Sequence, residues 1–180
     1  MSTNLGRIPS RIRVSIGSAI LLGLARGRMD AKPTTIYLLT HHEGKCAANC
    51  VFCSQARTSA SRADMLSRIT WPPFPTNEVI KGLEDVVERK LIARVCIQAT
   101  NYPLMFGEVL GLVKRIHGMG IPISASCQPL NGEQIERLAE AGVDRIGISL
   151  DVTTKELFEK VKGASAGGPY VWEGHIEALE

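Results

Sequence analysis

Three cysteines stand within eight residues of one another, and this spacing is the strongest indication of chemistry in the chain. Cys46, Cys50 and Cys53 form a C-x3-C-x2-C pattern directly after a run of apolar residues. A short loop that brings three sulfurs together leaves no room to pack each one against separate apolar partners. Because thiolates are good metal ligands, the pattern predicts that this loop binds a metal centre.

The number of cysteines in the loop favours an iron–sulfur cluster. A [4Fe–4S] cluster normally takes four thiolates, one for each iron, so three thiolates leave one iron open to another ligand. Zinc is the main alternative, with His41 or His42 as a fourth ligand. Against zinc, the sequence has no second C-x2-C pair and no H-x3-H pair. A structural disulfide is disfavoured because three is an odd number and the other two cysteines lie in apolar, strand-like runs.

The composition indicates an ordinary folded domain. Of the 180 residues, 44% are hydrophobic and 22% are charged, so the chain can bury a core. The net charge of +3 is modest and the basic residues form no stripe, which argues against a nucleic-acid partner. The longest apolar stretch, residues 19–25, is too short to span a membrane. Because an exported thiolate loop would risk oxidation, we expect a cytoplasmic protein.

Strand-like and helical patterns alternate along the chain. Residues 14–27 predict a short helix before the domain, and the connection at 54–75 lacks clear periodicity and is expected to cover the metal centre. Thr76 is the expected cap of the next helix, and Thr153 forms a capping box with Glu156. The predicted strands are 36–40, 94–99, 122–127 and 145–150, and the predicted helices are 76–87, 104–117, 132–141, 153–163 and 170–180.

This alternation predicts an α/β fold with parallel strands and outer helices, wound by right-handed crossovers into part of a TIM-type (β/α) barrel. Active sites of such barrels lie at the carboxyl ends of the strands, where the cysteine loop falls. Four strands make only about half a barrel, and the fourth would present an open edge. We therefore expect a helical extension at 1–33 and the N-terminal part of a barrel at 34–180, either in a truncated chain or in one that pairs to complete the barrel.

The cysteine triplet, with the aromatic Phe52 before its last member, resembles the signature of the radical S-adenosylmethionine (SAM) superfamily. The resemblance implies that the open iron chelates the amino and carboxylate groups of SAM and that the reduced cluster cleaves SAM to a 5′-deoxyadenosyl radical. An electron donor such as ferredoxin or flavodoxin is then required. Phe52 would pack near the adenine or anchor the loop. The protein would tune the cluster, hold the sulfonium and exclude water.

Three further stretches, 94–99, 123–127 and 141–151, resemble the biotin synthase branch and extend the resemblance over residues 34–180. The resemblance implies a second, sulfur-donating cluster at Cys96 and Cys127, and alternation permits both sulfurs to point inward. Each cysteine could equally be a small apolar residue in a strand. The resemblance places Asp151 on the ribose hydroxyls of SAM, with Ser149 a second candidate. The alternative for Asp151 is a helix cap, a role that Thr153 can already fill.

The whole pattern resembles biotin synthase-related proteins that include one component of split, two-protein lipoyl synthases. It implies radical insertion of sulfur into C–H bonds of a lipoyl or biotin precursor, with a lipoyl domain or a small molecule as substrate and a partner radical SAM subunit in the lipoyl case. Two alternatives stay open: another radical SAM reaction of this branch, and a remnant that binds a cluster or zinc without turnover. The segment after Cys96 lacks the Gly-Gly-Glu that many relatives use to hold the SAM amino group.

Overall fold

The computed structural model describes residues 6–180, and in that part of the chain it has eight strands and six α-helices. The strands are β1 (Arg11–Val14), β2 (Thr35–Leu39), β3 (Met65–Leu66), β4 (Ile69–Thr70), β5 (Pro73–Pro75), β6 (Arg94–Gln98), β7 (Ile123–Cys127) and β8 (Val143–Ile148). The helices are α1 (Ile16–Leu21), α2 (Thr76–Glu88), α3 (Met105–His117), α4 (Gly132–Glu140), α5 (Lys155–Val161) and α6 (Trp172–Glu177), with a short 3-10 turn at Ala164–Ala166.

Four strands run parallel, and the cysteine loop lies at their carboxyl ends. In the order β2–β6–β7–β8, each strand pairs in parallel with the next, and α2, α3 and α4 precede β6, β7 and β8 along the chain. The antiparallel strands β1 and β5 extend the sheet beyond β2 to six strands in all. The predicted α/β fold, with helices outside part of a (β/α) barrel, is confirmed.

The two sides of the parallel strands differ in character because side chains alternate along a strand. The side that packs against the helices is apolar and fully buried. Its members on β2, β6 and β7 are Ile36, Leu38, Val95, Ile97, Ile123 and Ala125. The other side is more polar and includes Gln98 and Ser126. The apolar side holds the sheet to its helices, which leaves the polar side available for a site.

The N-terminal region differs from the prediction. The helix expected over 14–27 is shorter, because α1 ends at Leu21 and Gly23 then adopts a left-handed φ of 74°. The strand β1 before it was not predicted, although Ile12 and Val14 alternate with arginines and are fully buried. The described part of the predicted helical extension at 1–33 therefore contributes a strand to the main sheet, and residues 1–5 of that extension lie outside the described residues.

Two predicted helix caps are wrong. Thr76 is the first residue of α2 and does not cap it; its hydroxyl donates to the carbonyl of Pro9 at 2.6 Å. Thr153 is replaced as the cap of α5 by its neighbour Thr154, whose hydroxyl accepts from the backbone N–H of Leu157 at 3.3 Å. The expected Thr153–Glu156 capping box is therefore absent from α5.

The C-terminal elements also differ from their predicted bounds. Strand β8 ends at Ile148, two residues earlier than expected, and α6 covers only Trp172–Glu177 instead of 170–180. Tyr170 consequently lies in the turn before α6. In the described part of the chain, no helix is both long and apolar enough to cross a membrane.

Candidate cofactor site

The three cysteines of the loop line one open cavity at the carboxyl ends of the parallel strands. Residues at the ends of β6, β7 and β8, or directly after them, line one side of the cavity. Residues of the C-terminal region line the side that faces the cysteine loop. Other lining residues are Leu39, Gln98, Thr100, Asn101, Ser126, Cys127, Gln128, Ser149, Lys162, Tyr170 and His175. The sequence prediction that the three thiols gather at the strand ends agrees with this placement.

Backbone hydrogen bonds hold the cysteine loop in place from two sides. The N–H of Ala47 donates to the carbonyl of Asn101 at 2.8 Å, and the N–H of Asn101 donates to Cys46 Sγ at 3.1 Å. On the other side, the N–H of Val51 donates to the carbonyl of Val161 at the end of α5 at 3.0 Å. The loop is therefore tied both to the end of β6 and to the C-terminal wall of the cavity.

The thiols are partly buried and close enough to influence one another. Burial raises the pKa of Cys50 and of Cys53, and neighbouring thiols of the loop add to both increases. Lys162 partly offsets the increase for the pKa of Cys50. Burial, followed by the charges of the three loop cysteines, raises the pKa of Tyr170. Tyr170 lines the same cavity as the thiols, and a positively charged centre bound among them would favour their thiolate form.

The histidines considered for zinc are engaged elsewhere. Within residues 6–180, no three His, Cys, Asp or Glu side chains converge closely enough to hold a single metal ion. Arg13 Nε donates to His41 Nδ1 at 3.2 Å, and the ring of His42 stacks on that of Tyr102 with centroids 4.4 Å apart. Three thiols spread around a cavity match a cluster, in which each thiolate binds a different iron, better than the tetrahedral donor set of zinc.

Lys162 is a residue of the site that the sequence reasoning missed. Its side chain is only 7% exposed, and its ammonium donates to the carbonyl of Ser149 at 2.5 Å and to Asp151 Oδ2 at 2.7 Å. The ammonium lies 5.5 Å from the centroid of the Tyr170 ring. A lysine at the end of a helix is common, so nothing in the sequence marked this one.

The two residues expected to contact the SAM ribose lie after the end of β8. Ser149 lines the cavity, and Asp151 stands beside it, bound to Lys162. Asp151 has a φ of 66°, in the left-handed region that residues other than glycine seldom occupy. Because Thr154 caps α5, the capping alternative for Asp151 does not apply. Contact with the ribose stays a prediction.

Cys96 and Cys127 are not brought together on one face. Cys96 lies in register with Ser124 on β7, and Cys127 is three positions further along that strand. Since side chains alternate, an odd separation turns Cys127 to the opposite side from Ser124. Cys96 shares its side of β6 with Gln98, which lines the cavity, and the second cluster stays a prediction. Cys127 lines the cavity at the strand end, and burial raises its pKa to about 11, which favours a neutral thiol.

Phe52 lies on the surface of the loop. Phe52 is 60% exposed, and its neighbour Val51 is 66% exposed. Phe52 therefore does not anchor the loop by packing into the protein, which corrects one of the two alternatives. Contact with the adenine stays a prediction.

One buried polar atom at the cavity lacks a partner within the described protein. The amide oxygen of Gln128 is buried and accepts no hydrogen bond there, although such groups are paired in most proteins. A ligand in the cavity could supply the missing donor. Together, the three free thiols and this unpaired oxygen fit a cavity that takes a cluster and a polar organic ligand.

A buried histidine completes the wall opposite the loop. His175 packs edge-on against the rings of Phe158 and Tyr170, with centroids 4.7 and 5.3 Å away. Its Nδ1 donates to the carbonyl of Val171 at 3.2 Å. Burial lowers the pKa of His175, so the folded state favours the neutral imidazole.

The stability that this histidine contributes should therefore depend on pH. A lowered folded-state pKa gives stability that is complete above the ordinary histidine pKa of about 6.5 and is lost as the pH falls through the folded-state pKa. We expect the stability advantage of the wild type over His175→Gln, measured by urea unfolding, to shrink between pH 7.5 and pH 5.5. The same comparison with His117→Gln, at an exposed position, serves as control. An advantage that is unchanged at pH 5.5 would contradict a buried neutral imidazole.

Comparison with known proteins agrees with this geometry. The family model described as the Radical SAM superfamily matches residues 42–180, which include the cysteine loop and three of the four parallel strands, β6, β7 and β8. The chain belongs to the radical SAM superfamily. The partial barrel and the thiol-lined cavity at its strand ends are the features that its sequence signature predicted.

The chain is also similar to curated biotin synthases. Biotin synthase of Aquifex aeolicus (strain VF5) is 26% identical over 148 residues, which cover 79% of this chain and 41% of that protein. Biotin synthase of Chlamydia pneumoniae is 27% identical over 71% of this chain and 38% of that protein. Biotin synthase of Acinetobacter calcoaceticus is 28% identical over 69% of this chain and 36% of that protein. The chain thus spans about two fifths of the length of these relatives.

Proposed function

We propose that this chain carries the cofactor-binding part of a radical SAM enzyme that inserts sulfur into C–H bonds of a lipoyl or biotin precursor. The observation that supports the proposal most strongly is the set of three free cysteines around one cavity at the ends of parallel strands. Family membership implies SAM and an iron–sulfur cluster. We take the cluster to be [4Fe–4S], held by Cys46, Cys50 and Cys53. Cluster and SAM would supply the one-electron chemistry that breaks unactivated C–H bonds.

The residues of this chain would bind and shield the cofactors. The bonds of the loop to Asn101 and Val161 hold the thiols at fixed positions relative to the strand ends. Ser149 and Asp151 would contact the ribose of SAM. Tyr170 and the buried His175 cover the cavity from the opposite side and limit the access of water.

The substrate and partner assignments rest on the resemblance. The relatives named biotin synthase support sulfur insertion. The resemblance of the sequence to split lipoyl synthases adds a lipoyl domain as the proposed substrate and a second radical SAM subunit as the proposed partner. A ferredoxin or flavodoxin would supply the electron. We place the protein in the cytoplasm, where thiolates of this kind stay reduced.

A second candidate function is another radical SAM reaction of the same branch. One observation favours it: among the described residues, Cys127 lines the cavity and Cys96 does not, so the two thiols are not gathered around it as the three loop thiols are. Product analysis separates the two candidates. Sulfur in the product favours insertion, and a rearranged product without added sulfur favours the second candidate.

Metal analysis tests the proposed cofactor directly. After anaerobic reconstitution with iron and sulfide, we expect about four irons and four sulfides per chain, as a single [4Fe–4S] cluster requires. A parallel reconstitution with zinc alone should give substoichiometric metal that exchanges readily. Stoichiometric zinc without bound sulfide would instead support the non-catalytic alternative.

A further inference from the structure

The buried, positively charged side chain of Lys162 has no role in the proposed function. Among the residues of the described chain that line the cavity, it is the one lysine or arginine. Its side chain is 7% exposed, and a buried ammonium is costly unless hydrogen-bonded partners compensate for its lost hydration. The hydrogen-bond partners of the ammonium therefore indicate its role.

In the described structure, the ammonium donates two hydrogen bonds, and both acceptors lie in the turn that follows β8. One goes to the carbonyl of Ser149 and the other to Asp151 Oδ2, at 2.5 and 2.7 Å. The ammonium also lies near two aromatic rings, with the centroids of Phe158 and Tyr170 at 5.8 and 5.5 Å. A side chain held in this way can fix the conformation of the turn, including the left-handed backbone of Asp151.

The ion pair occupies only half of the Asp151 carboxylate. Lys162 binds Oδ2, and no hydrogen bond to Oδ1 is found in the described part of the chain. A carboxylate accepts hydrogen bonds on both oxygens. Asp151 keeps 29% of its side chain exposed, so Oδ1 is accessible to a ligand hydroxyl while Oδ2 stays anchored.

We propose that Lys162 is a positioning residue, which holds Asp151 at the rim of the cavity so that its free oxygen accepts hydrogen bonds from the ribose hydroxyls of SAM. The inference rests on the proposed function, because it needs SAM in this cavity. It extends that function by giving a role to Lys162, the residue directly after α5. Lys162 acts on the ligand only by holding Asp151.

A double-mutant cycle on the iron-loaded chain tests this role. The variants are Lys162→Met, Asp151→Asn and the two combined, and the measurement is the dissociation constant of SAM by equilibrium dialysis. Each single change should weaken SAM binding by about tenfold or more, the range for a lost charge-assisted hydrogen bond. The combined variant should bind SAM no more weakly than Asp151→Asn alone, because Lys162 acts through Asp151. Additive losses, which a general structural role would produce, would overturn the proposal.

A second readout depends on the ligand. Lys162→Met should leave the affinity for a 2′,3′-dideoxy analogue of SAM unchanged, since that ligand lacks the hydroxyls that Asp151 contacts. Lys160→Met is the matched control: Lys160 stands two residues away, is exposed and pairs with Glu156, and its loss should change neither affinity. Equal weakening for SAM and the analogue would also overturn the proposal. If Lys162→Met fails to fold by circular dichroism, Lys162→Gln takes its place in the cycle.

The outcomes separate the inference from the proposed function. If the wild type takes up iron but does not bind SAM, the proposed function fails whatever Lys162 does. If the wild type binds SAM and Lys162→Met binds it equally well, the proposed function stands and the role of Lys162 is wrong. Iron content, measured for every variant, shows whether the cluster is equally occupied in each comparison.

Discussion

Cys50→Ala is expected to remove nearly all of the iron that the reconstituted wild type binds. Cys50 lies between the other two thiols of the loop in sequence and lines the cavity with them. With one of the three thiolates missing, a second iron loses its protein ligand, and an iron–sulfur cluster held by two thiolates is readily lost. Iron and sulfide analysis after anaerobic desalting measures the effect.

Cys127→Ala and Cys96→Ala are the matched controls for this prediction. Cys127 lines the same cavity, so its replacement changes a thiol in the same surroundings without changing the loop. Both controls should keep about four irons per chain. Full iron retention by Cys50→Ala would contradict the assignment of the loop. If the wild type binds more than four irons and the Cys96 and Cys127 variants lose those beyond the first four, the result would support a second cluster.

The second large effect is expected on stability, from Phe158→Ala. Phe158 is fully buried on α5 and packs edge-on against Trp172, with ring centroids 5.7 Å apart, as well as against His175. It therefore joins α5 to α6, the two helices that carry the wall of the cavity. Truncation of a buried phenylalanine leaves a cavity and typically costs about 3–5 kcal/mol.

The free energy of unfolding in urea measures this cost. Leu157→Ala is the control, because Leu157 is the neighbouring residue on the same helix and is 46% exposed; it should lose less than about 1 kcal/mol. A similar small loss for Phe158→Ala would show that α5 and α6 are not held together by this contact. We also expect Phe158→Ala to weaken SAM binding, since the ring of Phe158 lies beside the Lys162 ammonium.

The repeated strand–helix units could be predicted because their signals are local. The parallel strands β2, β6 and β7 carry apolar residues at alternate positions, and Val79, Leu83 and Val86 show the helical spacing that places one face of α2 in the core. Strands β1 and β5 were missed for a different reason. They are only four and three residues long, and β5 contains two prolines, which strands tolerate at a sheet edge.

The three thiols could be predicted as a site because they lie on one short loop. The opposite wall of the cavity could not, because it forms only when the C-terminal turns pack onto that loop. Asn49 donates to the carbonyl of Ala166, and Arg57 donates to that of Gly167, at 2.7 and 2.9 Å, across more than one hundred residues of sequence. These long-range contacts bring Lys162 to the site, and no local pattern records them.

The second-cluster prediction shows the limit of positional resemblance. Cys96 and Cys127 each stand on the expected strand, yet the strand register decides which face a side chain occupies. Ser124, not Cys127, is the neighbour of Cys96 across β6 and β7. The pairing of strands could not be deduced to the residue from sequence, so the relative positions of these two thiols could not be deduced either.

The most direct test of the central claim is electron paramagnetic resonance of the reduced, anaerobically reconstituted chain with and without SAM. We expect the signal of a reduced [4Fe–4S] cluster that changes in shape or position when SAM is added, because one iron is free to bind it. Cys50→Ala should show no such signal. A cluster signal that is indifferent to SAM, or a wild type that takes up no iron, would contradict the proposed cofactor site.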